Sequence, residues 1–501
     1  MAAPEALPEP RLNALLRQVD WRFLLHCEEA PKLAPIGLGA GAATRLIAAE
    51  APAAKGEADL AVIGFPAASE LATAIEYLRP GGEIVCVWRR PRSAAPRRAA
   101  ERLRAAGLGE IRTVWPGPIP HRTPQFWLPL NSAEAGAHLL SERPPRSRPQ
   151  ALLRRFWRVL ASAGLLAPAF AIGRLPGGGK DEEGPIEPLF PAAAGQLLLT
   201  GGGRSINKVV GLPFGAGAGP PGHVVKFARV AAADEALERE AAVLRSVELG
   251  SPGLEGLPRV LATGRRAGRL ALAESAVHGS PLIAELSAEN FDELAGRVTE
   301  WLLGLAGRAQ PRPRQEWWQR LVAEPLAGFE RDFGPALGDD VIVGLGDRLQ
   351  RLGALPEVCE HRDCSPWNVV LAADGSPGLL DWESAEAHGL PCLDLAYFLA
   401  NSAFVIDGAL DSGRTRESYA RLIDASSPVG RVAARRTEEY CRGVGVELAA
   451  FADLRLLCWV IHSRSDHRHL EMAAVGRPSA EALRGSLYAG LIETELRTTQ
   501  V

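Results

Sequence analysis

Lysine is almost missing from this 501-residue chain: of 56 basic residues only Lys32, Lys55, Lys180, Lys208 and Lys226 are Lys, and none follows position 226. Arginine carries the generic positive charge, so a retained Lys marks a place that needs a compact, strongly hydrated ammonium. Cysteine is also scarce. The seven are odd in number and form no C-x-x-C pair, which excludes a disulfide-stapled scaffold and fits a reduced, cytoplasmic protein. A large charge excess is lacking too: net charge is −3, which argues against a chain built to coat nucleic acid. The apolar run from Val159 to Ile172 is interrupted by Pro168 and falls short of the roughly 20 residues that span a bilayer. No basic-then-apolar layout opens the chain, so no export signal is expected. With 47% apolar and 23% charged residues, what is present is ordinary globular composition.

Pattern divides the chain into three regions. Up to about residue 140, apolar runs alternate with helical stretches. Ala58–Gly64 and Glu83–Trp88 read as strands, Ser69–Leu78 and Ala94–Gly107 as helices, with Pro80-Gly81-Gly82 closing the first helix. Alternation of this kind implies an α/β domain with a parallel sheet over 1–140. A basic and apolar linker helix is expected over 141–192. Glu142 to Arg158 holds six Arg and one Glu, and a basic, Trp-containing helix can lie on an anionic bilayer, so 143–172 is a candidate for peripheral membrane contact. From Gly195 the texture becomes strands, one helix, more strands and a long helical stretch. That is the order of an α+β, two-lobed domain, divided here into 193–275 and 276–501.

The densest chemistry lies at His361-Arg362-Asp363-Cys364-Ser365-Pro366-Trp367-Asn368, followed by Asp381-Trp382-Glu383. Phosphoryl transfer needs a carboxylate to orient and deprotonate a hydroxyl and hard oxygen ligands to hold Mg²⁺ on a triphosphate. The order H-R-D-x-x-x-x-N then D follows the logic of the protein-kinase signature. Upstream, Gly201-Gly202-Gly203-Arg204-Ser205 is a loop whose backbone can approach phosphates. In the strand His223–Ala228, Lys226 points away from the apolar face of Val225 and Phe227 and is a candidate for the α- and β-phosphates. The helix from Asp234 to Leu249 places Glu240 on the face of Leu237 and Leu244, where a carboxylate calls for a cation such as Lys226.

With these residues in place, about 195–470 resembles the aminoglycoside phosphotransferase and choline kinase group of small-molecule kinases. Its most specific parts are His361–Asn368, Asp381–Glu383 and Gly389–Leu395. The resemblance implies that Asp363 is the catalytic base, that Asn368 and Asp381 bind magnesium, that Asp394 braces the catalytic loop and that Glu383 touches a second metal site. It further implies that the backbone near Glu274 and Ala276 binds adenine, with ATP and Mg²⁺ as cofactors and a hydroxyl-bearing small molecule as acceptor. Seven acidic side chains and one Arg in 360–400 suit a cationic acceptor, while His462–His469 suits an anionic or sugar-like one.

Other readings compete. Cys359, His361 and Cys364 imitate a zinc site, but their spacing is unlike structural zinc patterns. Gly179-Lys180-Asp181 lacks the Ser/Thr of a P-loop. Gly37–Gly41 and the strands at 59–64 and 83–88 look similar to S-adenosylmethionine-dependent methyltransferases. Only 17 residues separate Gly41 from Asp59, which implies a truncated, Rossmann-like and inactive domain. A non-catalytic nucleotide-binding scaffold or sensor, or a membrane-surface kinase of a lipid or glycan intermediate, is the alternative function.

Overall fold

The computed structural model describes the chain apart from 1–8, 36–41, 49–52, 89, 91–93, 119–122, most of 142–168, 178–183, 192–194, 202–207, 216–218, 308–309, 475–476 and 499–501. Two compact units form. One comprises Met1–Ala241 with Val260–Ala276, the other Ala242–Arg259 with Val277–Val501.

The first unit is built on one ten-stranded sheet. Its strands are β1 (Ala58–Ile63), β2 (Leu78–Trp88), β3 (Gly109–Gly117), β4 (Phe126–Pro129), β5 (Ala169–Arg174), β6 (Gly195–Leu199), β7 (Lys208–Phe214), β8 (His223–Ala228), β9 (Val260–Arg266) and β10 (Arg269–Ser275). Their spatial order is β1-β2-β5-β3-β4-β6-β7-β8-β10-β9. Period-2 alternation sorts side chains onto two faces. Ala61 and Ile63 of β1 meet Leu71 and Ala74 of α1 (Ala68–Tyr77) and Ala99 and Leu103 of α2 (Ala95–Ala105). Leu60 and Val62 face the other way. They join Trp21, Phe23, Leu24 and Leu25, and the same cluster reaches Val225 and Phe227 of β8 and Ala271 and Ala273 of β10. One core therefore runs beneath the strands of 58–88 and those of 195–275.

Several expectations for this unit are corrected. A parallel sheet was expected over 1–140, but among the described strands only β1 and β2 pair in parallel; β2 with β5, β3 with β5 and β3 with β4 are antiparallel. The cause is β5, drawn from the stretch expected to be a linker helix. After Pro168, Ala169-Phe170-Ala171-Ile172 is buried on both sides and fills the slot between β2 and β3. Pro80-Gly81-Gly82 does not close a helix either: α1 ends at Tyr77 and these residues lie inside β2. Gly81 sits at φ +82°, and a Cβ on Gly82 would come 2.8 Å from the Ala58 carbonyl oxygen, so the opening of this strand requires glycine. The Rossmann-like, methyltransferase-like reading thus loses its sheet, and its Gly37–Gly41 turn lies outside the described residues. Within 143–172, helical residues at 155–157 and 159–160 pack Trp157 and Leu160 on Trp115 and Leu197, while Leu152, Phe156 and Val159 are exposed. Among the described residues, no helix is long and apolar enough to cross a membrane.

The helix α3 (Ala231–Gly250) begins in the first unit and ends in the second. The second unit is mainly helical, with short strands β11 (Val358–Glu360), β12 (Val369–Leu371), β13 (Pro377–Leu379) and β14 (Glu386–Gly389). Its centre is α4 (Leu393–Ile406), buried without interruption from Leu393 to Phe404 and contacted by α5 (Ala450–Ala474). A helix apolar all round belongs in a core, and its N-terminal Asp394 is carried inside with it.

Candidate active site

Each unit carries one set of the expected residues. In the first, β8 sends Val225 and Phe227 into the core, so Lys226 emerges on the opposite face and is still buried. Its Nζ lies 2.5 Å from Glu240 Oε1, the partner expected from the spacing on α3. It also lies 2.7 Å from Glu274 Oε1, which sequence reasoning missed. The signal was there: Leu272 pairs directly with Lys226, and Glu274, two residues on, shares its face. Burial raises the Glu274 carboxyl above its usual range, Lys226 pulls it back, and Glu240 pushes it up again. The adenine assignment at Ala276 is corrected in part, because its N–H donates to the Gly222 carbonyl and is not open to a base.

The strand that carries Lys226 is anchored at its end. Arg229, fully buried, donates from Nε to both Asp20 oxygens at 3.2 Å and from Nη2 to Asp20 Oδ2 at 3.1 Å and the Thr200 carbonyl at 2.8 Å. Thr200 follows the last residue of β6 and precedes Gly201, which adopts φ +118°. Gly202, Gly203, Arg204 and Ser205 lie outside the described residues.

In the second unit the loop between β11 and β12 is held by a dense set of hydrogen bonds. Asp394 at the start of α4 accepts the backbone N–H of His361 at 2.6 Å and of Arg362 at 2.8 Å, the bracing role expected of it. Arg362, at φ +62°, pairs with Glu360 at 2.9 Å rather than with the site carboxylates. His361 Nδ1 accepts the Asp363 N–H at 3.2 Å, so its proton is on Nε2, which donates to the Leu380 carbonyl at 2.9 Å. Both ring nitrogens are therefore engaged, which removes His361 from any zinc site. The Leu380 N–H in turn donates to the Asn368 carbonyl at 2.9 Å, which ties the residue before Asp381 to Asn368.

The Asn368 amide donates from Nδ2 to Asp363 Oδ2 at 2.8 Å and to the Asp363 carbonyl at 3.0 Å. Its Oδ1 is left for another partner. Burial and the nearby Asp381 and Glu383 charges push the Asp363 carboxyl up to about 7, while hydrogen bonds from Asn368 and Tyr397 oppose the rise. Tyr397, three residues after Asp394 on α4, is a second residue that sequence reasoning missed. Asn368 Oδ1 and Asp381 are hard oxygen donors suited to a magnesium ion that takes its remaining ligands from water and phosphate. Among the described residues no group of three or more His, Cys, Asp or Glu is arranged to hold a metal by itself. The expected anion contact at His462 is corrected. Its ring stacks on Tyr397 at 3.9 Å, and burial lowers it to about 3, so it is neutral.

Residues 217–435 match the model of the phosphotransferase enzyme family, APH. Over this stretch the chain is similar to that family of phosphotransferases. No curated protein is matched. Among solved structures, aminoglycoside phosphotransferase APH(3'')-Id from Streptomyces rimosus is 18% identical, with 54% of this chain and 93% of that one covered and a TM-score of 0.35. A thermostable mutant of aminoglycoside phosphotransferase APH(4)-Ia is 14% identical, covering 61% and 94% at a TM-score of 0.39. An aminoglycoside-3'-phosphotransferase of type VIII is 21% identical, covering 53% and 88% at 0.30.

Proposed function

We propose that this protein is an ATP- and Mg²⁺-dependent kinase that moves the γ-phosphoryl group to a hydroxyl of a small molecule. The observation that carries the reading is Asp363, a carboxylate fixed by Asn368 and lifted to about 7 beside Asp381. A base tuned near neutrality suits proton transfer from an alcohol. Asp363 accepts the hydroxyl proton as the acceptor oxygen forms its bond to the γ-phosphorus. The bond from that phosphorus to the bridging oxygen breaks, and ADP leaves with the bridging electron pair. Lys226, held by Glu240, is assigned to the α- and β-phosphates, and Asn368 and Asp381 to the metal. Bound Mg²⁺ would supply positive charge against the phosphate oxygens. Carboxylates at 363, 381 and 383 favour an acceptor that carries positive charge or neutral hydroxyls, such as an aminoglycoside, an amino alcohol or a sugar.

Asp363→Ala tests the assignment. Turnover, followed by ADP release, should fall by about 10²–10⁴-fold, with nucleotide affinity nearly unchanged. Unaltered turnover would sink the base assignment. A wild-type protein that binds nucleotide but transfers phosphate to no acceptor would leave the scaffold alternative standing.

A further inference from the structure

Of the eleven tryptophans, ten are buried or half-buried. The exception among the described residues is Trp367, 39% exposed, in the run between Asp363 and Asn368. The loop that carries it is well determined by hydrogen bonds. Ser365 donates its N–H to the Asp363 carbonyl at 2.8 Å, Asn368 to the Ser365 carbonyl at 2.9 Å, and Ile283 to the Pro366 carbonyl at 3.0 Å. Cys364, Ser365 and Pro366 turn inward and are buried, so Trp367 is the residue that this turn delivers to solvent. Its Cα is one peptide, about 3.8 Å, from that of Asn368. Among the described residues its indole has neither a hydrogen-bond partner nor a ring partner, whereas the indoles of Trp301 and Trp382 have both. Ile283, joined to this loop through its backbone, is a second exposed large apolar residue, at 38%.

A side chain with 150–250 Å² to bury is costly to leave in water, and 39% of this one stays exposed while the loop's own hydrogen bonds do not use its indole. What it offers is a flat, electron-rich face one residue from a proposed metal ligand and four from the proposed base. Neighbouring carboxylates add negative potential. This combination suits a saturated ring, whose C–H groups stack on an indole, or an ammonium over its face. It does not suit a linear anion.

We propose that Trp367 is an acceptor-recognition residue, with its indole as the platform on which a ring- or ammonium-bearing alcohol lies while its hydroxyl faces Asp363. The inference rests on the phosphotransferase reading above and adds the residue that selects the acceptor. Ile283 extends the same apolar surface.

The test uses the full chain, wild type beside Trp367→Phe and Trp367→Ala, with kanamycin, choline and glucosamine as probes. Iodide reaches exposed indoles selectively, so the iodide-quenchable fluorescence of wild type should fall when one of these probes binds. Trp367→Phe should lose most of that quenchable signal. For whichever probe is phosphorylated, Trp367→Ala should raise the acceptor KM by about 5- to 30-fold, leave the nucleotide KM nearly unchanged, and be partly rescued by Phe. No protection from iodide by any of the three probes would overturn the proposal. So would phosphate transfer whose acceptor KM is indifferent to Trp367→Ala. Protection without phosphate transfer would instead bring down the phosphotransferase reading and leave the Trp367 platform in place.

Discussion

Two charged clusters, one in each unit, treat buried carboxylates in opposite ways. In the first, carboxylates meet cations: Asp20 with Arg229, Glu83 with Arg112, Glu240 and Glu274 with Lys226. Arg112 holds the Glu83 carboxyl at about 2 in spite of its burial. In the second, the charges of Asp381 and Glu383 disfavour the ionised form of Asp363, and Arg362 pairs with Glu360. Opposite charges stabilise a fold when their geometry and hydrogen bonds are complete, whereas like charges gathered around a raised carboxyl are typical of functional sites. The first arrangement is complete without a ligand. In the second, added positive charge would offset the like charge that raises Asp363.

The largest effect that would sharpen this contrast is expected at Asp20. Asp20→Ala leaves the Arg229 guanidinium buried without its carboxylate and should cost about 3–5 kcal/mol in urea unfolding. A loss below about 1 kcal/mol would mean that water reaches Arg229, and the contrast would weaken.

The opposite sign is expected at Asp363. Its carboxyl rises from 3.8 to about 7 on folding, so the native state binds that proton more tightly than the unfolded chain. The associated stability is fully present below about pH 4 and is lost as pH rises through 7. Asp363→Asn removes the dependence. Without nucleotide or metal, the variant should match wild type near pH 4 and exceed it at pH 8 by about 1–4 kcal/mol. Unfolding curves at the two pH values check this, and a variant less stable than wild type at pH 8 would show that Asp363 is structurally satisfied.

How much of this was legible in sequence depends on the range of the interactions. Lys226 with Glu240 was legible because each lies on an amphipathic element whose period fixes its face, and a lone Lys has few candidate partners. The order of residues from His361 to Asp381 was legible because the site is built from one short stretch, joined by hydrogen bonds such as Leu380 N–H to the Asn368 carbonyl. The sheet over 1–140 was not. β5 pairs with β2 across about ninety residues, and local alternation of strands and helices holds no record of which strand fills a gap. Asp20 with Arg229 spans 209 positions and was equally hidden. Glu274 was read for its backbone, although its place in the alternation of β10 already pointed its carboxylate at the lysine.

That carboxylate gives the smallest and most discriminating effect. Lys226 is the one cation of the first unit assigned to bind phosphate, yet two carboxylates already hold it. A triphosphate approaching Lys226 meets repulsion from both, and Glu240 is the partner positioned from α3. Glu274→Gln keeps the shape and one hydrogen-bond acceptor while removing one negative charge. Nucleotide binding, read by titration with a fluorescent ATP analogue, should therefore tighten by about 3- to 10-fold, or roughly 1 kcal/mol. Glu240→Gln, treated alike, should weaken it, because the ammonium then loses the carboxylate that places it. If both substitutions weaken binding, Glu274 shares the positioning role and the first unit holds its lysine with two struts; if both tighten it, the ion pairs serve the fold and Lys226 is not a phosphate ligand.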